Sequence, residues 1–145
     1  MGKNLIIKGA DFSENAVSIP EIVELTKLSN AFATSSSAVI GKSFDSISWT
    51  TYNTWLRWEA QIDVSNYNYT SEKFTQSTGT AGVLSVWILD ENRIIIGKKS
   101  PENVDGILTV QELTITSENY PAAKYIGFCT NKDSTIFPKL LREGK

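Results

Sequence analysis

Carboxylate chemistry is the one route to catalysis that the residue types of this chain leave open. The sequence has 16 Asp and Glu residues, no histidine, and a single cysteine, Cys129. Without histidine a catalytic triad loses its base, and a zinc site is excluded in practice. A glycosidase needs only two carboxyl groups, for which Asp45, Glu59 and Asp63 are candidates. Such pairs arise by chance in any acid-rich chain, so we expect no enzyme, no catalytic residues, no metal site and no cofactor.

Cys129 and the Asp90–Asn92 segment both have simpler structural interpretations. Cys129 lies in an apolar run and is expected to be a buried small hydrophobe, since no histidine could activate it. The Asp-Glu-Asn sequence at 90–92 offers oxygen ligands for calcium but lacks the glycine and the distal glutamate of an EF-hand loop. A hairpin turn accounts for it better.

Aromatic side chains are concentrated between positions 49 and 69. Exposed rings of this kind stack on sugars, and aromatic residues are also enriched in the interfaces between subunits. The sequence therefore leaves two alternatives open, a sandwich core with a subunit interface or a glycan platform. The candidates for glycan binding or for an interface are Trp49, Tyr52, Trp55, Tyr67 and Tyr69.

Charge and hydropathy narrow the class of partner. The net charge is −2, and Lys and Arg are scattered, which argues against a nucleic-acid interface. No apolar run approaches the roughly 20 residues that span a bilayer. Residues 1–8 do not resemble a signal peptide. We therefore expect a protein that is made in the cytoplasm and stays soluble, without nucleic-acid binding or membrane insertion.

Strand patterns dominate the chain from position 46 onwards. Residues 83–89 and 93–97 predict a β-hairpin, and further strand signals lie at 73–76, 107–116 and 124–130. Period-two alternation predicts a strand at 55–62, with Trp58 among the core residues and Trp55, Arg57 and Glu59 on the polar face. About eight or nine strands are expected, so the fold class is all-β, an antiparallel two-sheet sandwich.

Two parts of the chain are less clearly defined by their pattern. Residues 20–33 fit either a short amphipathic helix after Pro20 or a strand, and the β character of the other elements favours the strand. The predicted division is an N-terminal strand or arm at 1–8, a sandwich at 9–135 and a C-terminal tail at 136–145. Apolar residues of the two ends either fold back or dock on a neighbour; these assembly-arm candidates are Leu5, Ile6, Ile7, Phe137, Leu140 and Leu141.

Three motifs together resemble a known group of proteins. They are Asn4-Leu-Ile-Ile-Lys-Gly-Ala-Asp-Phe-Ser13, Ile62-Asp-Val-Ser-Asn-Tyr67, and the hairpin 86–97 followed by Pro121-Ala-Ala-Lys-Tyr-Ile-Gly-Phe128. Their order and spacing are similar to those of small jelly-roll modules from gut Bacteroidales and their phages, including crAss-like phages. In this chain Asn66 stands where those modules usually have glycine, and Gly127 stands where they usually have arginine.

The resemblance implies a jelly-roll fold and a place in a virion. Such modules resemble carbohydrate-binding jelly rolls and recur in phage fibre and capsid-decoration proteins. We therefore expect a non-enzymatic virion component, such as a capsid-decoration, head-fibre or tail-associated protein, with other virion proteins and copies of itself as partners. A homo-oligomer or a capsid or tail lattice would be its setting, and adhesion to a surface glycan is an additional expectation. The alternative is a carbohydrate-binding module that recognises bacterial or dietary glycan.

Overall fold

The structure, a computed structural model, describes residues 19–28, 38–47, 49, 55–76, 85–132 and 134–145. Within these ranges there are thirteen strands, a single 3-10 turn at Phe44–Ser46 and no α-helix. The strands are β1 (Glu21–Val23), β2 (Thr26–Leu28), β3 (Trp55–Gln61), β4 (Tyr67–Ser71), β5 (Phe74–Gln76), β6 (Ser85–Leu89), β7 (Ile95–Lys99), β8 (Glu102–Val104), β9 (Ile107–Val110), β10 (Leu113–Ile115), β11 (Tyr125–Asn131), β12 (Ser134–Ile136) and β13 (Leu140–Gly144).

The strands form three antiparallel sheets, with the orders β2-β3-β11-β6-β7, β1-β13-β4-β10 and β12-β5-β9-β8. The second and third sheets continue one another, because β4 leads into β5, β9 into β10 and β12 into β13 after interruptions of two or three residues. The three interrupted strands stay paired with one another on both sides of their breaks, since β13-β4-β10 continues as β12-β5-β9. The molecule therefore has two layers, and the all-β antiparallel sandwich is confirmed. The strand count exceeds the predicted eight or nine mainly because three strands are broken.

The order of strands in the two layers is that of a jelly roll. One layer contains β1, β13, β4 and β10, and the other contains β3, β11, β6 and β7, with β2 added at the edge beside β3. Apart from β6 and β7 and the added β2, neighbours in each layer are not consecutive in the chain, as in the two interleaved Greek keys of this architecture. For example, β13 inserts between β1 and β4.

The ambiguous segment near Pro20 is extended, as the β character of the chain favoured. It contains two short strands rather than one, because β1 pairs with β13 in one layer and β2 pairs with β3 in the other. Glu24 and Leu25 connect the two layers. The remainder of the ambiguous segment, residues 29–33, lies outside the described residues.

The predicted hairpin is formed by β6 and β7. Its turn is closed by Asp90, whose Oδ1 accepts hydrogen bonds from the backbone N–H groups of Asn92 and Ile94, each 2.9 Å long. Asp90 thus acts as a turn residue, which supports the hairpin interpretation over a calcium loop. The last loop residue, Arg93, has a φ of 59°, a left-handed conformation that glycine or asparagine usually occupies.

The main core fills the space between the two layers. Its buried side chains come from both layers and include Ile62, Val64, Tyr69, Phe74, Val86, Ile88, Val110, Ile115, Ile126, Phe128 and Leu140. Trp58 packs against this core but is only half-buried. The predicted inward face of β3 is therefore correct. Tyr67 begins β4, so the aromatic side chains at positions 67 and 69 lie on a strand.

A second core covers the outer face of the β3-containing layer. It consists of Ala38, Phe44, Ile47, Trp55, Trp87, Leu89, Ile95 and Cys129, with Trp49 and Tyr125 packed against it. Residues 38–47, here called the covering segment, lie along β7, where backbone hydrogen bonds join Gly41 N to Ile95 O and Phe44 N to Arg93 O, each 2.8 Å long. Burial raises the pKa of the Cys129 thiol to about 12.

The covering segment overturns the prediction that the polar face of β3 is exposed to solvent. Alternation placed Trp55, Arg57 and Glu59 together, and they do share one side of the strand. Trp55 is only 8% exposed and Arg57 only 4%, however, and Glu59 is partly buried. The prediction failed because alternation shows only which residues share a face. Whether that face is exposed to solvent depends on the covering segment, which alternation within β3 does not reveal.

The C-terminal segment is part of the sandwich. Leu140 is fully buried, and β13 pairs with β1 on one side and with β4 on the other. Of the predicted arm residues, Leu140 and Leu141 therefore belong to a central strand of this chain, while Phe137 remains 42% exposed. The boundary of a separate tail at residue 136 does not describe this structure. The other arm candidates, Leu5, Ile6 and Ile7, lie outside the described residues.

Candidate functional site

A cluster of four charged side chains lies between β3, the hairpin turn and the covering segment. Arg57 donates to Glu59 Oε2 at 2.5 Å, and Arg93 Nη2 donates to Glu59 Oε1 at 2.7 Å. Arg93 Nε also pairs with Asp45 at 2.9 Å. The two arginines and two carboxylates balance in charge, and both oxygens of Glu59 are engaged. This charge cluster ties the covering segment to the sheet beneath it.

Aromatic rings surround the two guanidinium groups of the charge cluster. The Arg57 guanidinium lies 4.6 Å from the ring centre of Phe44 and 4.0 Å from that of Trp49. Burial lowers the pKa of Arg57, and the neighbouring Glu59 carboxylate opposes that effect. Burial also acts to lower the pKa of Arg93, but its hydrogen bonds to Glu59 and Asp45 outweigh the burial and raise it. Both side chains remain cations.

The three carboxylates considered as catalytic candidates all have structural partners. Asp45 and Glu59 belong to the charge cluster. Asp63 closes a turn, accepting hydrogen bonds from Ser65 Oγ at 2.6 Å and from Asn66 Nδ2 at 2.8 Å. These hydrogen bonds lower the pKa of Asp63, the opposite of what a general acid needs. This arrangement thus does not provide a glycosidase pair, and Asn66 takes part in the turn by donating to Asp63.

The predicted aromatic set does not form one surface. Trp55 and Trp49 belong to the second core, where Trp49 Nε1 donates to Phe44 O at 3.2 Å. Tyr69 is only 2% exposed in the main core, and its hydroxyl accepts a hydrogen bond from Asp63 N. Tyr67 is half-buried on the other layer, with the Arg142 guanidinium 4.6 Å from its ring centre. Tyr52 lies outside the described residues.

A cleft of about 250 Å³ opens beside the charge cluster on the outer face of the β3-containing layer. The cross-strand pairs Thr26–Glu59 and Gln61–Tyr125 lie along it. The Arg93 guanidinium lies 4.9 Å from the ring centre of Tyr125. We call this the polar cleft; it is lined by Thr26, Leu28, Glu59, Ala60, Gln61, Arg93 and Tyr125.

A second opening of about 250 Å³ lies where the chain crosses from β1 to β2. Its aromatic residues are Trp58 and Phe137, whose ring centres are 6.4 Å apart in an edge-to-face arrangement. Trp58 Nε1 donates to Thr130 Oγ1, and the indole ring forms part of the wall of the opening. We call this the apolar groove; it is lined by Ile22, Val23, Glu24, Leu25, Trp58, Phe137, Pro138, Lys139 and Leu140.

The apolar groove adjoins an edge strand with exposed apolar side chains. Ile22 of β1 is 69% exposed and Phe137 is 42% exposed. β1 lies at one end of its sheet, so one of its two edges has no strand beside it among the described residues. An edge with free backbone groups and apolar side chains is a template for pairing with another chain. The groove therefore has the features of a contact surface.

Gly127 explains how the covering segment approaches the sheet so closely. A Cβ atom at this position would lie 3.2 Å from Cζ of Phe44, which is tighter than an ordinary contact. The glycine thus makes room for the Phe44 ring. Two features of the sequence mark this region: the glycine at 127, and an arginine at turn position 93, where glycine is usual.

Among the residues with described positions, no group of three or more His, Cys, Asp or Glu side chains could hold a metal ion. The described portion of the chain also has no helix long and apolar enough to cross a membrane.

Comparisons with known proteins gave no match. No model of a protein family, no curated protein and no solved structure matches it. The basis for a function is therefore the resemblance of its motifs together with the two surfaces, the polar cleft and the apolar groove.

Proposed function

We propose that this chain is a non-enzymatic structural component of a phage particle that acts through protein–protein contacts. The place in a virion follows from the resemblance of its motifs. The mode of action is supported by the apolar groove, whose residues Ile22 and Phe137 expose apolar surface next to an unpaired sheet edge. The carboxylates that might have supported catalysis are instead held in ion pairs and turns.

A second copy of the same chain is the occupant that we assign to the apolar groove. Pairing of β1 with β1 of another copy would extend one layer across both molecules and cover Ile22 and Phe137. The groove carries Glu24 and Lys139, so its charges have both signs and two copies can meet without like-charge repulsion. Contacts between identical surfaces related by a two-fold axis are the most common form of self-association.

Replacing Phe137 with serine tests this assignment. Aromatic residues at the centre of an interface commonly contribute 2 kcal/mol or more, so we expect the dissociation constant for self-association to rise about thirtyfold. Sedimentation velocity over a range of protein concentrations measures this change. Ile107→Ser is the matched control, because Ile107 is similarly exposed, at 41%, but lies in another sheet. Equal behaviour of the two variants, or a wild-type protein that remains monomeric, would contradict the assignment.

Glycan recognition is the second candidate function. The aromatic set predicted for it does not support a platform, because Trp55 and Tyr69 are buried within this chain. The polar cleft supports it instead, since it combines an accessible aromatic side chain, Tyr125, with hydrogen-bonding groups of both kinds.

A further inference from the structure

Charged, polar and aromatic side chains from β2, β3, β11 and the hairpin turn line the polar cleft. Thr26 of β2 is paired with Glu59 of β3, and Gln61 of β3 is paired with Tyr125 of β11. Residues that face each other in an antiparallel ladder lie on the same side of the sheet, and so do Glu59 and Gln61, which are two residues apart on β3. These four side chains therefore share one face. The Arg93 side chain reaches the same face from the hairpin turn, with Nη2 2.7 Å from Glu59 Oε1.

The charge balance of the polar cleft favours an uncharged ligand. Glu59 is shared by two arginines, and Arg93 is shared by Glu59 and Asp45, so each charge is already compensated. An anionic ligand would have to compete with Glu59 and Asp45 for Arg93. A cation would have to compete with Arg57 and Arg93 for Glu59. Neither gains the attraction of an uncompensated charge.

The hydrogen-bonding groups of the polar cleft suit a ligand with many hydroxyl groups. A hydroxyl both donates and accepts, so it is best met by a donor and an acceptor side by side. The guanidinium of Arg93 and the carboxylate of Glu59 provide that combination, and the Gln61 amide and Thr26 hydroxyl each provide both functions. The ion pairs hold the charged groups in place before a ligand arrives, which reduces the entropy lost on binding.

Arg93 occupies a turn position at which an arginine backbone is strained. Its φ of 59° is a conformation in which a non-glycine residue is strained. Glycine would fit this turn position without that cost but would supply no guanidinium. The side chain instead pairs with Glu59 and Asp45 and lies over the Tyr125 ring.

We propose that the polar cleft is a binding site for an uncharged saccharide. A sugar ring has an apolar C–H face and a rim of hydroxyl groups. The apolar lining of the cleft, from Leu28, Ala60 and the part of Tyr125 that Arg93 does not cover, matches the C–H face, and the polar groups match the hydroxyls. The volume of about 250 Å³ is below that of a typical site for drug-sized ligands, so the cleft accommodates one or two sugar rings of a longer glycan. This inference rests on the second candidate function, glycan recognition, and is independent of the contact surface at the apolar groove.

A glycan array with the wild-type protein tests the site, carrying neutral oligosaccharides beside sialylated and sulfated ones. We expect binding to neutral oligosaccharides only. The neutral oligosaccharide that gives the strongest signal is then titrated calorimetrically against the variants Gln61→Ala and Tyr125→Ala. We expect each to weaken binding at least tenfold, as loss of a hydrogen-bonding or stacking group in a small site does. Gln61 is exposed, so its truncation leaves the fold intact even where Tyr125→Ala does not.

The matched control is Gln111→Ala, whose amide donates to Glu102 on the other layer. It should bind the oligosaccharide as the wild type does. No binding to neutral oligosaccharides, binding restricted to charged ones, or binding that Gln61→Ala leaves unchanged would each overturn the proposal. Phe137→Ser separates the two proposals, because a variant that no longer self-associates should keep its affinity per site for the oligosaccharide.

Discussion

Replacing Glu59 with alanine is expected to lower the free energy of unfolding by about 3 kcal/mol. Glu59 accepts from both Arg57 and Arg93, and the Arg57 side chain is only 5% exposed. Without Glu59 the buried Arg57 cation would lose the carboxylate that accepts from its guanidinium, while it stayed between the rings of Phe44 and Trp49. Removing one partner of a buried ion pair costs more than the pair contributes, because the remaining charge is uncompensated. Urea denaturation followed by tryptophan fluorescence measures the change.

Glu21→Ala is the matched control for this loss. Glu21 pairs with Arg142 at 3.0 Å, but the two side chains are 61% and 38% exposed, so water screens their attraction. Its removal should change the free energy of unfolding by less than about 1 kcal/mol. Equal losses from the two variants would show that the charge cluster does not hold the covering segment in place.

Replacing Phe44 with alanine is expected to cost about 3 to 5 kcal/mol, the usual range for truncating a fully buried phenylalanine. Phe44 is the central side chain of the covering segment and has no exposed surface. Its ring centre lies 5.1 Å from that of Trp49 and 5.4 Å from that of Trp87. Thermal and urea denaturation measure the loss of stability.

A second measurement locates the effect of Phe44→Ala in the second core. Burial raises the pKa of Cys129 to about 12, so the thiol of the native wild type should react with a thiol reagent at pH 8 only when the protein opens. The variant should be labelled markedly faster under native conditions, because Cys129 and Phe44 share the second core. Phe137→Ala is the control, since Phe137 is 42% exposed and lies by the apolar groove. A loss below 1 kcal/mol for Phe44→Ala would contradict the packing described here.

Strand periodicity predicted the scaffold well because it depends on local chemistry. The alternation around Trp58 and the turn at Asp90 gave the correct strand and hairpin, since both follow from sterics and hydrogen bonding within a few residues. Local patterns could not predict the breaks that divide three long strands. They also could not assign the exposed fraction of Trp55, because that depends on packing against the covering segment, residues 38–47, and against neighbouring strands.

The candidate site was predicted less well than the scaffold. Phe137 was predicted to fold back onto the sandwich or to contact a neighbour, and it lies at the apolar groove. The aromatic concentration between positions 49 and 69, by contrast, is divided between two cores on opposite sides of the β3-containing layer. The polar cleft was not predicted at all, since Thr26, Arg93 and Tyr125 come together only through the pairing of distant strands.

Disulfide cross-linking at β1 is the most direct test of association through the apolar groove. Ile22→Cys places a thiol on the edge strand, while the native Cys129 is buried and supplies no competing exposed thiol. Under mild oxidation we expect Ile22→Cys to form a covalent dimer, and Ile107→Cys, also at an exposed position but in another sheet, to remain monomeric. Failure of Ile22→Cys to cross-link, or equal cross-linking of both variants, would contradict the contact between two copies at this edge.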